Sequence, residues 1–212
     1  NWASFGLAGL CLLGLIAVAC GSGFLLRSFL GSSKRAGAGD VLTGFGMGCG
    51  LIGSLVFGLG LSGLLFPPPA SFSLAALLGA AVLGLAWIGR KGGLTLAGLR
   101  PARPPLSPAG LAALALAALF SLGVVLNVET GWDALMYHLR LPSFYVYRHK
   151  FYDVWHSYYS AYPSQVEMLY TAAMMINGDF LARFLNASFG LATLAAAAAL
   201  ARELGNPGRW AG

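Results

Sequence analysis

Long apolar runs, broken by short polar stretches, set the plan of this 212-residue chain. A helix that crosses the hydrocarbon core needs about 20 apolar residues at a rise of about 1.5 Å each. Residues 2–26 meet that length and are followed by Arg27, Lys34 and Arg35. Residues 41–66 give a second predicted span, ended by Pro67, Pro68 and Pro69, whose rings block continuation. A third covers 72–89 and precedes Arg90, Lys91, Arg100 and Arg103 in a Pro/Gly-rich loop. A fourth covers 108–127, with Pro108 suited to a first helical turn. After a polar stretch come 164–177 and 180–204. The former makes only about 21 Å of helix. Five spans are therefore preferred over six, with 164–177 an external or half-inserted helix, and Arg202 and Arg209 then stay on the side of the other basic loops.

Basic residues collect after the first and third spans, which marks those loops as cytoplasmic and the uncharged turn at 67–71 as external. The fourth span must then deliver the polar stretch to the external face. Composition agrees with this plan. The chain is 58% hydrophobic and 9% charged, with a mean hydropathy of +0.73, whereas soluble domains carry about 25% charge. The predicted fold is all-α: a polytopic transmembrane helical bundle with a long external loop containing juxtamembrane helices. The net charge of +6 is spread over short loops, which argues against nucleic-acid binding. Cys11, Cys20 and Cys49 lie in apolar runs without metal-ligand spacing and read as packing residues. Gly46 and Gly50 form a G-x-x-x-G step beside Gly44, Gly48 and Gly53, which predicts close helix packing within the chain. No ionisable residue sits in the middle of the first four spans, which weakens a proton- or ion-coupled transporter reading. A start at Asn1 and an end soon after an apolar run lead us to expect a piece of a longer protein.

Chemistry concentrates in residues 129–170. All three histidines, all eight tyrosines and four of the seven acidic residues fall there. Asp133, Tyr137 and Arg140 are spaced to share one helical face, until Pro142 interrupts the helix. From 144 to 162 aromatic residues alternate with Arg148, His149, Lys150, Asp153 and His156, a pattern suited to the membrane–water boundary. Plainer roles compete for each residue. Thr130 with Asp133, and Ser164 with Glu167, fit helix-capping boxes. The tyrosines suit interface anchors, and Arg148-His149-Lys150 is either a solvated charge run or a phosphate contact. Arg183 has an i, i+4 partner in Asp179. His138, His149 and His156 lack the spacing of a zinc site.

Trp132-Asp133, Tyr137-His138, the aromatic stretch, Tyr162-Pro163 and Glu167 resemble the first external loop of GT-C glycosyltransferases that use polyprenyl-phosphate-linked sugars, akin to aminoarabinose and protein O-mannosyl transferases. Gly178-Asp179 and Ala182-Arg183 resemble the start of the next span in that group. The resemblance covers roughly 127–204, and residues 1–107 match added N-terminal helices only in hydropathy. It divides the chain into 1–107, with three transmembrane helices and cytoplasmic basic loops, and 108–212, the start of a catalytic module with external loop 128–179. It implies a membrane glycosyltransferase of the bacterial inner membrane, moving a sugar from a polyprenyl-phosphate carrier to a lipid or glycan acceptor. Asp133 would be the general base, with Tyr137, His138, Arg148, Lys150, Glu167 and Arg183 binding substrate. A divalent metal is left open, and the piece alone would be inactive. The alternative is a non-catalytic membrane subunit, or a transporter or flippase of lipid-linked glycans, which needs the aromatic, cationic groove but no base.

Overall fold

The computed structural model describes residues 2–29, 38–66, 108–127, 129–161 and 164–204. The predicted third span at 72–89 and Tyr162-Pro163 lie outside these residues, as do the basic loops carrying Lys34, Arg35, Arg90, Lys91, Arg100 and Arg103. In chain order the helices are α1 (Trp2–Phe29), α2 (Ala38–Leu61), α3 (Pro108–Leu126), α4 (Arg140–Arg148) and α5 (Gln165–Leu204). A π-helical turn, Ala134–His138, precedes α4, and a 3₁₀ turn, Tyr158–Ala161, precedes α5. No strand occurs among the described residues, so the chain is all-α. Gly6–Arg27, Asp40–Leu61 and Gln165–Ala197 are long and apolar enough to cross a membrane. Only helices can do so as single segments, because lipid offers no partner to an unpaired backbone group.

The first two helices pack antiparallel through their smallest residues. A Cβ on Gly23 would strike the backbone of Gly44 and Gly48, and one on Gly48 would strike the backbone of Ala19. The G-x-x-x-G step in use is therefore Gly44/Gly48. The predicted Gly46/Gly50 step is not the contact, since a Cβ at either glycine would meet nothing within 4 Å. The two steps lie on nearly opposite sides of the helix, about 200° apart, and α2 is apolar on all sides, so hydropathy cannot tell them apart. At one end of this pair Arg27 ion-pairs with Asp40.

The second helix ends earlier than the prolines would dictate. Gly63 adopts φ 69°, Gly63 N–H donates to the Gly60 carbonyl at 3.2 Å, and Leu64 N–H to Leu59 at 2.8 Å. This paired closure around a left-handed glycine stops a helix without proline. The turn that follows is knitted to the end of α4. Leu65 N–H donates to the His149 carbonyl at 3.1 Å, and Phe151 N–H to Gly60 at 2.8 Å. His149 caps α4 at φ 58° and hydrogen-bonds through Nδ1 to the Leu65 carbonyl at 2.9 Å.

The last helix is broken, as the division between 164–177 and 180–204 requires. Asn177 (φ −152°, ψ 37°) and Gly178 (φ 68°, ψ −167°) leave helical geometry. Tyr170 Oη donates to Asn186 Oδ1 at 2.9 Å. In an unbroken helix those residues would stand about 24 Å apart, more than the two side chains can bridge. The chain therefore folds back at Asn177-Gly178 into two arms, 165–176 and 179–204. The apparent 33-residue span is two pieces, of which 179–197 still makes about 28 Å of helix. Gln165 Nε2 donates to the Gly50 carbonyl at 3.0 Å, midway along α2, so the first arm starts beside that helix and not on its rim. Ile52, Leu141, Tyr145, Met168, Ala173, Leu181 and Leu185 form the buried core where the arms, α2 and α4 meet.

Candidate functional site

The loop's chemistry begins at an unusual turn. Leu139 N–H donates to the Ala134 carbonyl at 2.9 Å, an i to i+5 closure. Pro142 lies in the first turn of α4, where its missing donor is harmless, but its ring crowds the carbonyl four residues back. That carbonyl belongs to His138, so the helix opens before the proline and not at it. The wider turn also breaks the i, i+4, i+7 register expected of Asp133, Tyr137 and Arg140.

Each predicted site residue can now be placed. Asp133 precedes the π turn, is exposed and makes no side-chain capping bond, so the Thr130/Asp133 capping box is not formed through that carboxylate. Tyr137 stacks on Tyr159 with centroids 4.4 Å apart and planes 11° apart. His138 lies 4.0 Å from the Tyr137 ring, and its Nδ1 is 2.8 Å from Glu167 Oε1. Glu167 is thus engaged across the fold, with its side chain 8% exposed against 37% for His138. Arg148 and Lys150 are exposed at the end of α4, with Arg148 over the Tyr147 ring. Arg183 is committed elsewhere. Its guanidinium donates to the carbonyls of Val125 (3.0 Å) and Asn127, pairs with Asp179 at 3.5 Å and lies over Phe180. It anchors the end of α3 to α5. The structure therefore gathers Tyr137, His138 and Glu167, leaves Asp133, Arg148 and Lys150 at the surface, and gives Arg183 a structural task.

Two features escaped the sequence. Trp132, Tyr137, Tyr159 and Tyr158 form a continuous aromatic shelf: Trp132 meets Tyr159 edge-on at 6.3 Å, and the Tyr158 and Tyr159 hydroxyls are 2.6 Å apart. Beside it is a cavity of about 80 Å³, lined by Arg140, Phe144, His156, Tyr158 and Tyr159 among others. The alternation of aromatic and basic residues signalled this chemistry without giving its partners. On α4, Tyr145 is fully buried against Phe151 and Tyr152, and its hydroxyl has no partner among the described residues. Burial pushes that hydroxyl up to about 12, with the charge of Glu167 adding to the effect. Among the described residues no group of three or more His, Cys, Asp or Glu is placed to hold a metal ion.

The fold and this loop define an all-α membrane protein with an aromatic, polar segment seated on its helices. Comparison of the chain with family models, curated proteins and solved structures finds no match.

Proposed function

We propose that the chain is part of a membrane glycosyltransferase that moves a sugar from a polyprenyl-phosphate carrier to a hydroxyl acceptor at the external membrane boundary. The observation that carries this reading is the aromatic shelf ending at the His138–Glu167 pair. Flat rings edged by hydroxyls suit the C–H face of a sugar, and an adjoining carboxylate or imidazole suits removal of an acceptor proton. Asp133 and His138–Glu167 are the two groups available for that proton. Arg140, Arg148 and Lys150 supply exposed cations for a departing phosphate.

The test uses the full-length protein in proteoliposomes carrying a polyprenyl-phosphate-linked sugar. Wild type should release polyprenyl phosphate with sugar transfer, and Trp132→Ala with Tyr159→Ala should reduce it by about tenfold or more. A protein that moves the lipid-linked glycan across the bilayer without releasing polyprenyl phosphate is a flippase, and the proposal fails. Sidedness is checked at Trp155, which is 90% exposed. Trp155→Cys should react with an impermeant maleimide added outside, and labelling only from the cytosol reverses the orientation.

A further inference from the structure

Of the two candidate bases, the resemblance favours Asp133. The geometry points to the other: we infer that His138 accepts the acceptor's proton and that Glu167 is its positioning residue. This rests on the transferase reading above.

A general base must be held in a defined direction, and usually a third group does the holding. Asp133 has no side-chain capping bond and faces solvent, so no capping partner among the described residues directs it. His138 is directed twice. Glu167 takes Nδ1 at 2.8 Å, and the ring meets Tyr137 at 4.0 Å and Tyr170, edge-on, at 6.4 Å. An ionised Glu167 is an acceptor only, so Nδ1 carries the hydrogen and Nε2 keeps its lone pair. The imidazole is 37% exposed and the carboxylate 8%. The imidazole is therefore the more open member of the pair, and the carboxylate that holds its Nδ1 is the more enclosed one. Charged and titratable neighbours on the packed elements are Tyr137 on the same turn, Glu167 and Tyr170 on α5, and Tyr145 on α4 beside Glu167.

The step balances without another reagent. The acceptor O–H gives its proton to Nε2 as its oxygen forms a bond to the anomeric carbon. The bond from that carbon to the phosphate oxygen breaks, and its electron pair leaves with polyprenyl phosphate. The imidazolium formed is stabilised by Glu167 and returns its proton to water.

Chemical rescue tests this on the full-length protein in proteoliposomes. His138→Ala should cut transfer by about 100-fold or more, and added imidazole should restore about a tenth or more of the rate. Rescue should strengthen with the basicity of substituted imidazoles, a dependence that a structural histidine would not produce. Glu167→Gln should lose rate but gain nothing from imidazole, because His138 is still in place. Asp133→Asn should lose less than His138→Ala. A His138→Ala protein that melts like wild type yet transfers within about threefold of it overturns the assignment. So does a well-folded variant that imidazole fails to rescue, or a larger loss in Asp133→Asn. If wild type releases no polyprenyl phosphate, the transferase reading falls first and the assignment falls with it. Wild-type activity with a silent His138→Ala sinks the assignment alone.

Discussion

The α1–α2 contact and the seat of the loop on α5 are held by opposite means. Between α1 and α2, backbone approaches backbone through Gly23, Gly44, Gly48 and Ala19, with almost no side chain interposed. Around α5, long side chains reach across: His138 of the loop to Glu167, Tyr170 of one arm to Asn186 of the other, and Arg183 to the end of α3. Lipid gives no hydrophobic push between helices, so the first contact depends on fit. The second depends on pairing polar groups that would otherwise be buried alone. A site that handles protons belongs in the second kind of region, where charged groups have partners and access.

The sharpest break of this comparison is Gly48→Val. Its new carbons would overlap the Ala19 backbone, which cannot yield, so destabilisation above about 4 kcal/mol is expected. Gly46→Ala and Gly50→Ala, with open space at both positions, should change stability by less than about 1 kcal/mol. Thermal unfolding in detergent checks all three, and equal effects would refute the assigned packing face. Next comes Arg183→Met, which removes two bonds to carbonyls at the end of α3. A loss of about 2–3 kcal/mol is expected, with faster amide exchange near 123–127. Glu167→Gln keeps an acceptor for His138 but loses the charge, so about 1 kcal/mol should go.

The smallest effect has the opposite sign. Tyr145 buries a hydroxyl with no partner among the described residues, so Tyr145→Phe should raise stability by about 1 kcal/mol. Its folded-state value lies near 12 against an ordinary 10.0. The contribution is therefore complete below pH 10 and is lost as pH rises from 10 towards 12, by about 1.4 kcal/mol per unit. The variant should show a shallower alkaline decline than wild type. An unchanged slope would mean that Tyr145 meets water in the folded state.

Much of this was legible from pattern alone. The apolar lengths gave α1 and α3 nearly to their ends and located α2 without its stop, and Asn177-Gly178 marked the break in α5, because glycine admits the positive φ found there. Other features were hidden for physical reasons. A membrane helix is apolar on every side, so nothing in hydropathy separates Gly44/Gly48 from Gly46/Gly50. The stop of α2 followed from Gly63, which is less conspicuous than three prolines. His138 and Glu167 are 29 residues apart, and no local spacing announces such a pair. Arg183 showed its neighbour Asp179 but not the carbonyls of α3. Pro142 was visible as a disturbance, yet its effect falls a turn upstream.

That upstream turn has a consequence for how the loop tolerates change in length. A turn closed from Ala134 to Leu139 holds one residue more than an α-helical turn would. Deleting a single residue between 134 and 137 would let the chain wind normally into α4. Everything ahead of the deletion would then rotate by about 100° about the helix axis, carrying Trp132 away from Tyr159. The surplus residue acts as a spacer that sets which side of the loop its indole presents.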